Sequence, residues 1–415
     1  MDFAYEPEDE VFRAELLAWL DANLPDFLDQ GEIDAVGADG AVDDVAGGDR
    51  DDTRRTMARR QAWQRRLHEG RWAAINWPRE WGGREATTMQ NVIYAEVMAQ
   101  AKTPGIYNAN GLWQIGPMIL RWGTAEQQQQ WLPGIIEATE HWCQGFTEPE
   151  AGSDLANLRT AALRDGSDDG DDYVVNGTKI WTSTAHLAKW GLFLVRTDPT
   201  AIAEGRKHEG ITALIIDMEL PGVQCNPIRE ITGEAMFCEV VFTDARVPVA
   251  YRLGGEGEGW TVAMGTLTHE RVGTGGLAIG MRAELDQMIA AAREHNPDAL
   301  EDPDTRDRIA RLYTQVELTR LLNARALSKV LKGEKVWPEV PLAKLQWSHL
   351  SQALAELNVD LLGALGILAK GGPDAISGGH AAHNYPWQRF TSIGAGATEV
   401  QKNMLADRAI KLPRH

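Results

Sequence analysis

The chain has 415 residues, 43% of them apolar, and a formal net charge of −19 at pH 7. That length gives room for two or three domain-sized units around a large core, and so acidic a surface argues against nucleic acid or an anionic membrane as partner. No apolar run approaches the roughly 18 residues of a membrane span, and the start MDFAYEPEDE carries acids where a secretory signal needs bases, so a cytoplasmic protein is expected.

In Glu10–Leu24 apolar residues recur at helical spacing (Phe12, Leu16, Leu17, Leu20), and Arg54–Glu69, Met89–Ala101 and Asn110–Trp122 continue the pattern. Between the first two, Gly31–Asp52 is rich in Asp, Gly and Ala and reads as a loop. Residues 1–140 are thus expected to form an N-terminal helical domain. From 141 to 255 the pattern changes to short β-prone runs, Tyr173–Val175, Gly191–Val195, Thr212–Ile216 and Glu239–Phe242, separated by Gly, Pro and Asp as in a small antiparallel β domain. Asp165–Asp172 reads as a hairpin tip and Asp198–His208 as a loop. From 256 to 415 helical periodicity returns. Gly259–His295 is expected as one long helix, with Leu300–Lys332, Val340–Leu368 and Glu399–Ala409 completing a four-helix bundle, and Arg293–Asp307 as a connection. The fold class is mostly α with a central β domain. No G-x-G-x-x-G follows a strand, which argues against a Rossmann cofactor site. Cys143, Cys225 and Cys238 lack metal or disulfide spacing and are expected as buried thiols, with no metal site. The fifteen tryptophans are expected mainly in the core.

The most distinctive stretch is Gln144–Asp154, QGFTEPEAGSD, followed by Lys179–Thr184, KIWTST. This pair resembles the flavin-binding signatures of the acyl-CoA dehydrogenase family. Trp77–Gly83 (WPREWGG), Asp171–Thr182 (DDYVVNGTKIWT), His208–Ile216, Asp244–Pro248 (DARVP), Gly254–Trp260 (GGEGEGW) and Gly396–Asn403 (GATEVQKN) are similar to further family motifs in the same order. The segment Asp171–Thr182 resembles the family's strand–turn–strand. The resemblance implies helix–sheet–helix subunits in a tetramer, each able to hold FAD. It assigns cofactor contacts to Gln144, Phe146, Thr147, Gly152, Ser153, Trp181, Thr182, Ser183, Gly363, Gly366, Thr398 and Glu399. The chemistry of these residue types agrees. An indole such as Trp181 can pack on the flavin ring, Thr147 and Ser183 can hydrogen-bond its heteroatoms, and Gly152 with Ser153 can approach the pyrophosphate.

A thioester α-hydrogen is a weak acid, and its removal needs a carboxylate over Cα and donors to the thioester oxygen. Much of the family carries this Glu in a C-terminal loop, where this chain has Ala395. A second branch carries it before an Arg on the helix after the β domain, and here that helix reads Leu267-Thr268-His269-Glu270-Arg271. The resemblance therefore implies Glu270 as base, with Ser153, Thr268, His269, Arg271 and the Ala395 N–H toward substrate. Gly273, Gly275, Gly276 and Gly280 with Ala395 suggest a wide acyl pocket, or close helix packing, since each helical Gly costs about 1 kcal/mol relative to Ala. The helix looks similar to actinobacterial steroid side-chain-type members, which implies a bulky or branched acyl-CoA. The family's Arg-x-x-Phe-Gly motif is absent from Arg293–Arg308, Asp360 replaces a Gln in Asp360–Gly366, and Ala397 replaces a Thr. Contacts from a neighbouring chain are thus altered, and both a homotetramer and a mixed tetramer with a related chain are open. An electron-transferring flavoprotein is the implied acceptor. The alternatives are a flavin oxidase or monooxygenase on the same fold, a non-catalytic partner subunit, and a colourless helical binding module.

Overall fold

The computed structural model describes residues 6–29, 50–166, 171–272, 277–334, 336–370 and 372–413, without the side chains of 29, 50–55, 266–272 and 277–279. The N-terminal helices are α1 (Pro7–Asp29), α2 (Arg50–Glu69), α3 (Thr88–Gln100), α4 (Gly116–Trp122) and α5 (Ala125–Ile136). In α1 the residues at helical spacing, Phe12, Leu16, Leu20, Leu24 and Phe27, are buried, and Leu17 is exposed instead of sharing their face. Helix α2 begins inside the stretch read as a loop, and residues 31–49 of that stretch lie outside the described residues. Helices α3 and α5 start with reciprocal side-chain and backbone bonds, Thr87 with Gln90 and Thr124 with Gln127, which satisfy N–H groups the helix leaves free. The expected helix Asn110–Trp122 opens with a π-helical turn, Gly111–Ile115, before α4.

Among the described residues eight strands form one sheet: β1 (Trp142–Gly145), β2 (Ala161–Arg164), β3 (Asp172–Ser183), β4 (Trp190–Arg196), β5 (Ile211–Asp217), β6 (Val223–Pro227), β7 (Phe237–Pro248) and β8 (Arg252–Leu253). Their order is β6-β7-β3-β2-β4-β5-β8, with β1 beside β4. The sheet is mainly antiparallel, as expected, but β1 and β2 pair with β4 in parallel. Asp171–Thr182 is a correction to the expected strand–turn–strand. From Asp172 it runs through as the single strand β3, because β7 pairs with both halves, and the register shift where a turn was expected puts the extra residue in β7, with Thr243 and Asp244 opposite Asn176. Gly177 has φ +147°, and a Cβ there would lie 2.6 Å from Thr160 Cα. The strands β2 and β3 flank the expected hairpin, whose residues 167–170 lie outside the described residues. Strand β4 is buried along its whole length, consistent with its apolar run WGLFLV.

One face of the sheet joins the N-terminal helices through Leu192, Leu194, Ala213 and Ile215, packed with Trp131 and Trp142. The other face holds Phe193, Leu214, Ile216, Val240 and Phe242. Cys143 and Cys238 are buried thiols, and Cys225 is only half-buried.

The C-terminal part contains α6 (Gly259–Val272), α7 (Leu277–His295), α8 (Asp298–Glu301), α9 (Pro303–Leu331), α10 (Glu339–Leu362), α11 (His380–Trp387) and α12 (Thr398–Met404). Of the expected helix Gly259–His295, α6 and α7 are the described parts, and residues 273–276 between them, with Gly273, Gly275 and Gly276, lie outside the described residues. The expected Val340–Leu368 helix ends at Leu362 and continues as a 3-10 turn, because Gly363 caps it at φ 57°. Leu285, Leu312, Val316, Leu350, Leu354 and Leu357 form the core shared by α7, α9 and α10. A small cluster of Met57, Met236 and Trp387, with Tyr107 and Phe237 against it, is where α2, the sheet and α11 meet. Among the described residues no helix is long and apolar enough to cross a membrane.

Candidate functional site

Of the fifteen tryptophans, all with described side chains, thirteen are buried or half-buried, and only Trp113 and Trp181 are exposed. Trp181 is 53% exposed although it lies within a strand. The cause is a bulge in β3. Lys179 pairs with Val240 and Thr182 with Cys238, so β3 spends one more residue than β7 between these pairs. Trp181 takes φ +60°, a conformation uncommon for a non-glycine residue. Bulges of this kind re-aim side chains and gather beside functional sites. Here the bulge turns the indole outward, edge-on to Phe237 at 5.9 Å.

The same stretch of β3 fixes the loop after β1. Ile180 N–H donates to Thr147 O at 2.9 Å. Lys179 Nζ donates to Phe146 O at 3.2 Å and to Glu148 Oε1 at 2.8 Å. Glu148 also accepts the backbone N–H groups of Arg159 and Thr160, at 2.6 and 2.8 Å. Burial works to raise the Glu148 carboxyl, but the Lys179 ammonium and these donors outweigh it and hold it below the usual carboxylate range. Burial also pushes Lys179 down to about 8. This buried pair brings Phe146, Thr147 and Trp181 together, though they lie more than 30 residues apart in sequence.

Several of the other expected contacts carry unpaired or open groups among the described residues. Gln144 Oε1 and Thr182 Oγ1 are buried and have no hydrogen-bond partner among the described residues. Ser153 is exposed, and a Cβ at exposed Gly152 would meet nothing within 4 Å. An outward flat indole, unpaired ring-edge acceptors and donors, and an open Gly-Ser turn fit a flavin with its pyrophosphate.

The other expected site residues are distributed differently. Gly363 and Gly366 sit at the end of α10, where their neighbours are Asn296, Val359 and Leu362 of the bundle. A Cβ on Gly366 would lie 2.7 Å from Val359 O, so close packing already requires this glycine. Asp360 pairs with Arg308 at 2.7 Å. Thr398 is buried at the start of α12 with its Oγ1 unpaired among the described residues, and Glu399 is exposed. Ala395 is exposed at φ +52° and Gly396 follows at φ +90°. Thr268, His269, Glu270 and Arg271 belong to the last part of α6, and their side chains lie outside the described residues.

Sequence reasoning missed the wall facing this strand. A narrow cleft open to solvent runs between α2, the loop before the π-helical turn, and the end of β3. Ser183 and Thr184 form one side, and Met57, Arg60, Tyr107 and Asn110 face them. His141 sits in its floor, its Nε2 2.8 Å from Thr184 Oγ1. Burial above all, with the nearby His186, pushes His141 down to about 4, so it is neutral at pH 7. Buried Asn108 builds the wall by taking N–H groups of Gly111 and Trp142 and donating to Glu140 O. The signal for Arg60 was present in the sequence. Met57, Arg60, Gln64 and Leu67 share one helical stripe of α2, and Arg60 stands in it where an apolar residue would be expected.

Three family descriptions match the chain: the acyl-CoA dehydrogenase N-terminal domain over residues 42–139, the middle domain over 143–245 and the C-terminal domain over 257–410. The chain is 37% identical over 410 residues to the acyl-CoA dehydrogenase IpdE1 of Mycobacterium tuberculosis, covering 98% of each. Its structure is similar to the Tcur3481-Tcur3483 steroid ACAD, with TM-score 0.82 and 28% identity over all of both chains. It is also similar to a chain of the ChsE4-ChsE5 complex from Mycobacterium tuberculosis, with TM-score 0.77 and 27% identity over the same coverage.

Proposed function

The chain belongs to the acyl-CoA dehydrogenase family and is an oxidoreductase, and we propose that it binds FAD and removes the Cα and Cβ hydrogens of an acyl-CoA thioester. The observation that carries this reading is the β3 bulge, which presents the Trp181 indole beside Thr147 and Ser183. In the proposed complex the indole supports the ring, Thr147, Thr182, Ser183 and Gln144 bond its edge, and Gly152 with Ser153 holds the pyrophosphate. FAD supplies a two-electron acceptor for the hydride leaving Cβ.

The remaining chemistry belongs to the protein. Glu270 takes the Cα proton onto its carboxylate, and Arg271, Thr268 and His269 orient the substrate beside it. The Ala395 N–H donates to the thioester oxygen, where negative charge develops. Its left-handed turn supports this role, because the N–H makes no hydrogen bond among the described residues. A left-handed alanine costs of order 1 kcal/mol, and such strain gathers at functional turns.

The acyl group in this reading is bulky, branched or of steroid side-chain type, and the acceptor is an electron-transferring flavoprotein. Likeness to a structure titled a steroid ACAD supports the first part. A mixed tetramer with a related chain is part of the reading, since a similar structure is titled as a complex of two chains. Asp360, at a position expected to meet a neighbouring subunit, pairs with Arg308 of its own chain. The reading divides the chain at 1–140, 141–255 and 256–415.

The test is Glu270→Gln in FAD-loaded protein, confirmed by its absorbance spectrum. Loss of a general base should lower acyl-CoA turnover by about 10²–10⁴-fold. Turnover at the parent rate overturns the assignment. Partial recovery in Glu270→Ala/Ala395→Glu would place both positions over one Cα. Co-purification with candidate partner chains decides the assembly.

A further inference from the structure

Arg60 is only 8% exposed, yet it forms no ion pair or hydrogen bond among the described residues, and its Nε is buried without a partner. A buried cation left uncompensated is strongly unfavourable, and folded proteins pair such groups or place them where a ligand arrives. The loop carrying Gly105 closes over the guanidinium, since a Cβ there would lie 3.1 Å from its Cζ and Nε. The guanidinium borders the cleft that ends at Ser183. Beside it the Tyr107 hydroxyl and the Asn110 amide likewise make no hydrogen bond among the described residues. Arginine offers only donors, and Tyr and Asn each add at least one more. Among the described residues no carboxylate lines the cleft, and Met57, Ile106 and Met236 give it an apolar flank.

We infer that Arg60, Tyr107 and Asn110 form a polar subsite for a carbonyl or carboxylate oxygen carried by the acyl group itself, remote from the thioester. This rests on the proposed function, which puts the reacting end of the substrate beside Ser183. The apolar flank takes the hydrocarbon body, and the three donors take the oxygen. The acyl-CoA is therefore an oxygenated one, keto or carboxylate, and a plain alkyl chain would leave the buried donors unmatched.

The test uses FAD-loaded protein and three CoA thioesters of equal chain length, ending in an alkyl group, a ketone or a carboxylate. The parent should favour at least one oxygenated thioester in kcat/KM by about a hundredfold over the alkyl one. Arg60→Met should collapse that ratio, and Tyr107→Phe, which removes only a hydroxyl, should lower it about tenfold. The favoured arm identifies the oxygen: a preference for carboxylate alone means charge pairing, and equal preference means carbonyl bonding. A second readout avoids turnover. Free keto acid or dicarboxylate of the same length should raise the melting temperature of the parent and leave that of Arg60→Met unmoved. An alkyl preference in the parent overturns the inference, as does an equal loss for all three thioesters in both variants. If no thioester is turned over, the dehydrogenase reading fails, while the melting shift still reports on the subsite.

Discussion

Replacing Lys179 by Met tests how the chain holds strand β3 against the loop after β1. The substitution keeps the length of a fully buried side chain and removes its charge. Glu148 then loses a partner at 2.8 Å, and Phe146 O loses a donor at 3.2 Å. Removing one member of a buried ion pair costs about 3–5 kcal/mol. The N–H groups of Arg159 and Thr160 still bond the carboxylate, and hydrogen bonds to charged groups each contribute about 1.5–3 kcal/mol. The expected loss is therefore at the lower end, about 3 kcal/mol. It is measured at pH 7, below the value of about 8 at which Lys179 gives up its proton. Urea unfolding followed by tryptophan fluorescence reads the loss, and retained flavin absorbance reads the site. Glu148→Gln and the double variant complete the cycle. If the pair is the cause, the double variant is more stable than the sum of the single losses predicts. A Lys179→Met protein within about 0.5 kcal/mol of the parent, the scatter of an ordinary surface change, would refute the reasoning. Strict additivity in the cycle would refute it as well.

Other perturbations follow from the same geometry. His141, pushed by burial from 6.5 to about 4, stays neutral in the folded protein while the unfolded chain takes up a proton in that interval. Its share of stability is complete above pH 6.5 and is lost as pH falls toward 4, by at most about 3 kcal/mol; the difference in melting temperature between parent and His141→Gln across that range measures it, and a constant difference contradicts it. Trp181→Ala removes an indole that is already 53% exposed, so FAD affinity should fall about 10-fold or more with little change in the melting of the flavin-free protein, by analogy with stacking losses of about 1–3 kcal/mol. Titration with FAD decides, and unchanged affinity counts against the ring platform. Gly177→Ala forces a Cβ to 2.6 Å from a backbone atom at φ +147° and should cost about 2–3 kcal/mol. A neutral effect on urea unfolding would show that the bulge can relax.

The helical and β regions were legible because their signals are local. Phe12, Leu16 and Leu20 mark α1 by spacing alone, and the run in β4 marks a strand buried on both faces. Where a signal was short or interrupted it was lost. β1, β2 and β6 have only four or five residues. Helix α5 carries a run of glutamines and an internal Pro133, and α11 carries Pro386. Asn176–Gly177 resembles a turn and became continuous strand opposite a bulge of β7, because β7 was available to pair with both halves. The proposed flavin contacts rest on motifs, while Gly366 turned out to be demanded by packing against Val359.

By itself the sequence determined the order of helices, sheet and helices, the family, and the identity of Thr147, Trp181 and Ser183 as a group. It did so because periodicity and motif are properties of neighbouring residues. Only the tertiary structure decided that one extra residue in β3 turns Trp181 outward, that the buried Lys179–Glu148 pair helps bind β3 to the loop after β1, and that Arg60, bordering the cleft, stands without a partner among the described residues. Register, burial and the lack of a counter-charge depend on segments far apart in the chain, and they come into being only when those segments pack.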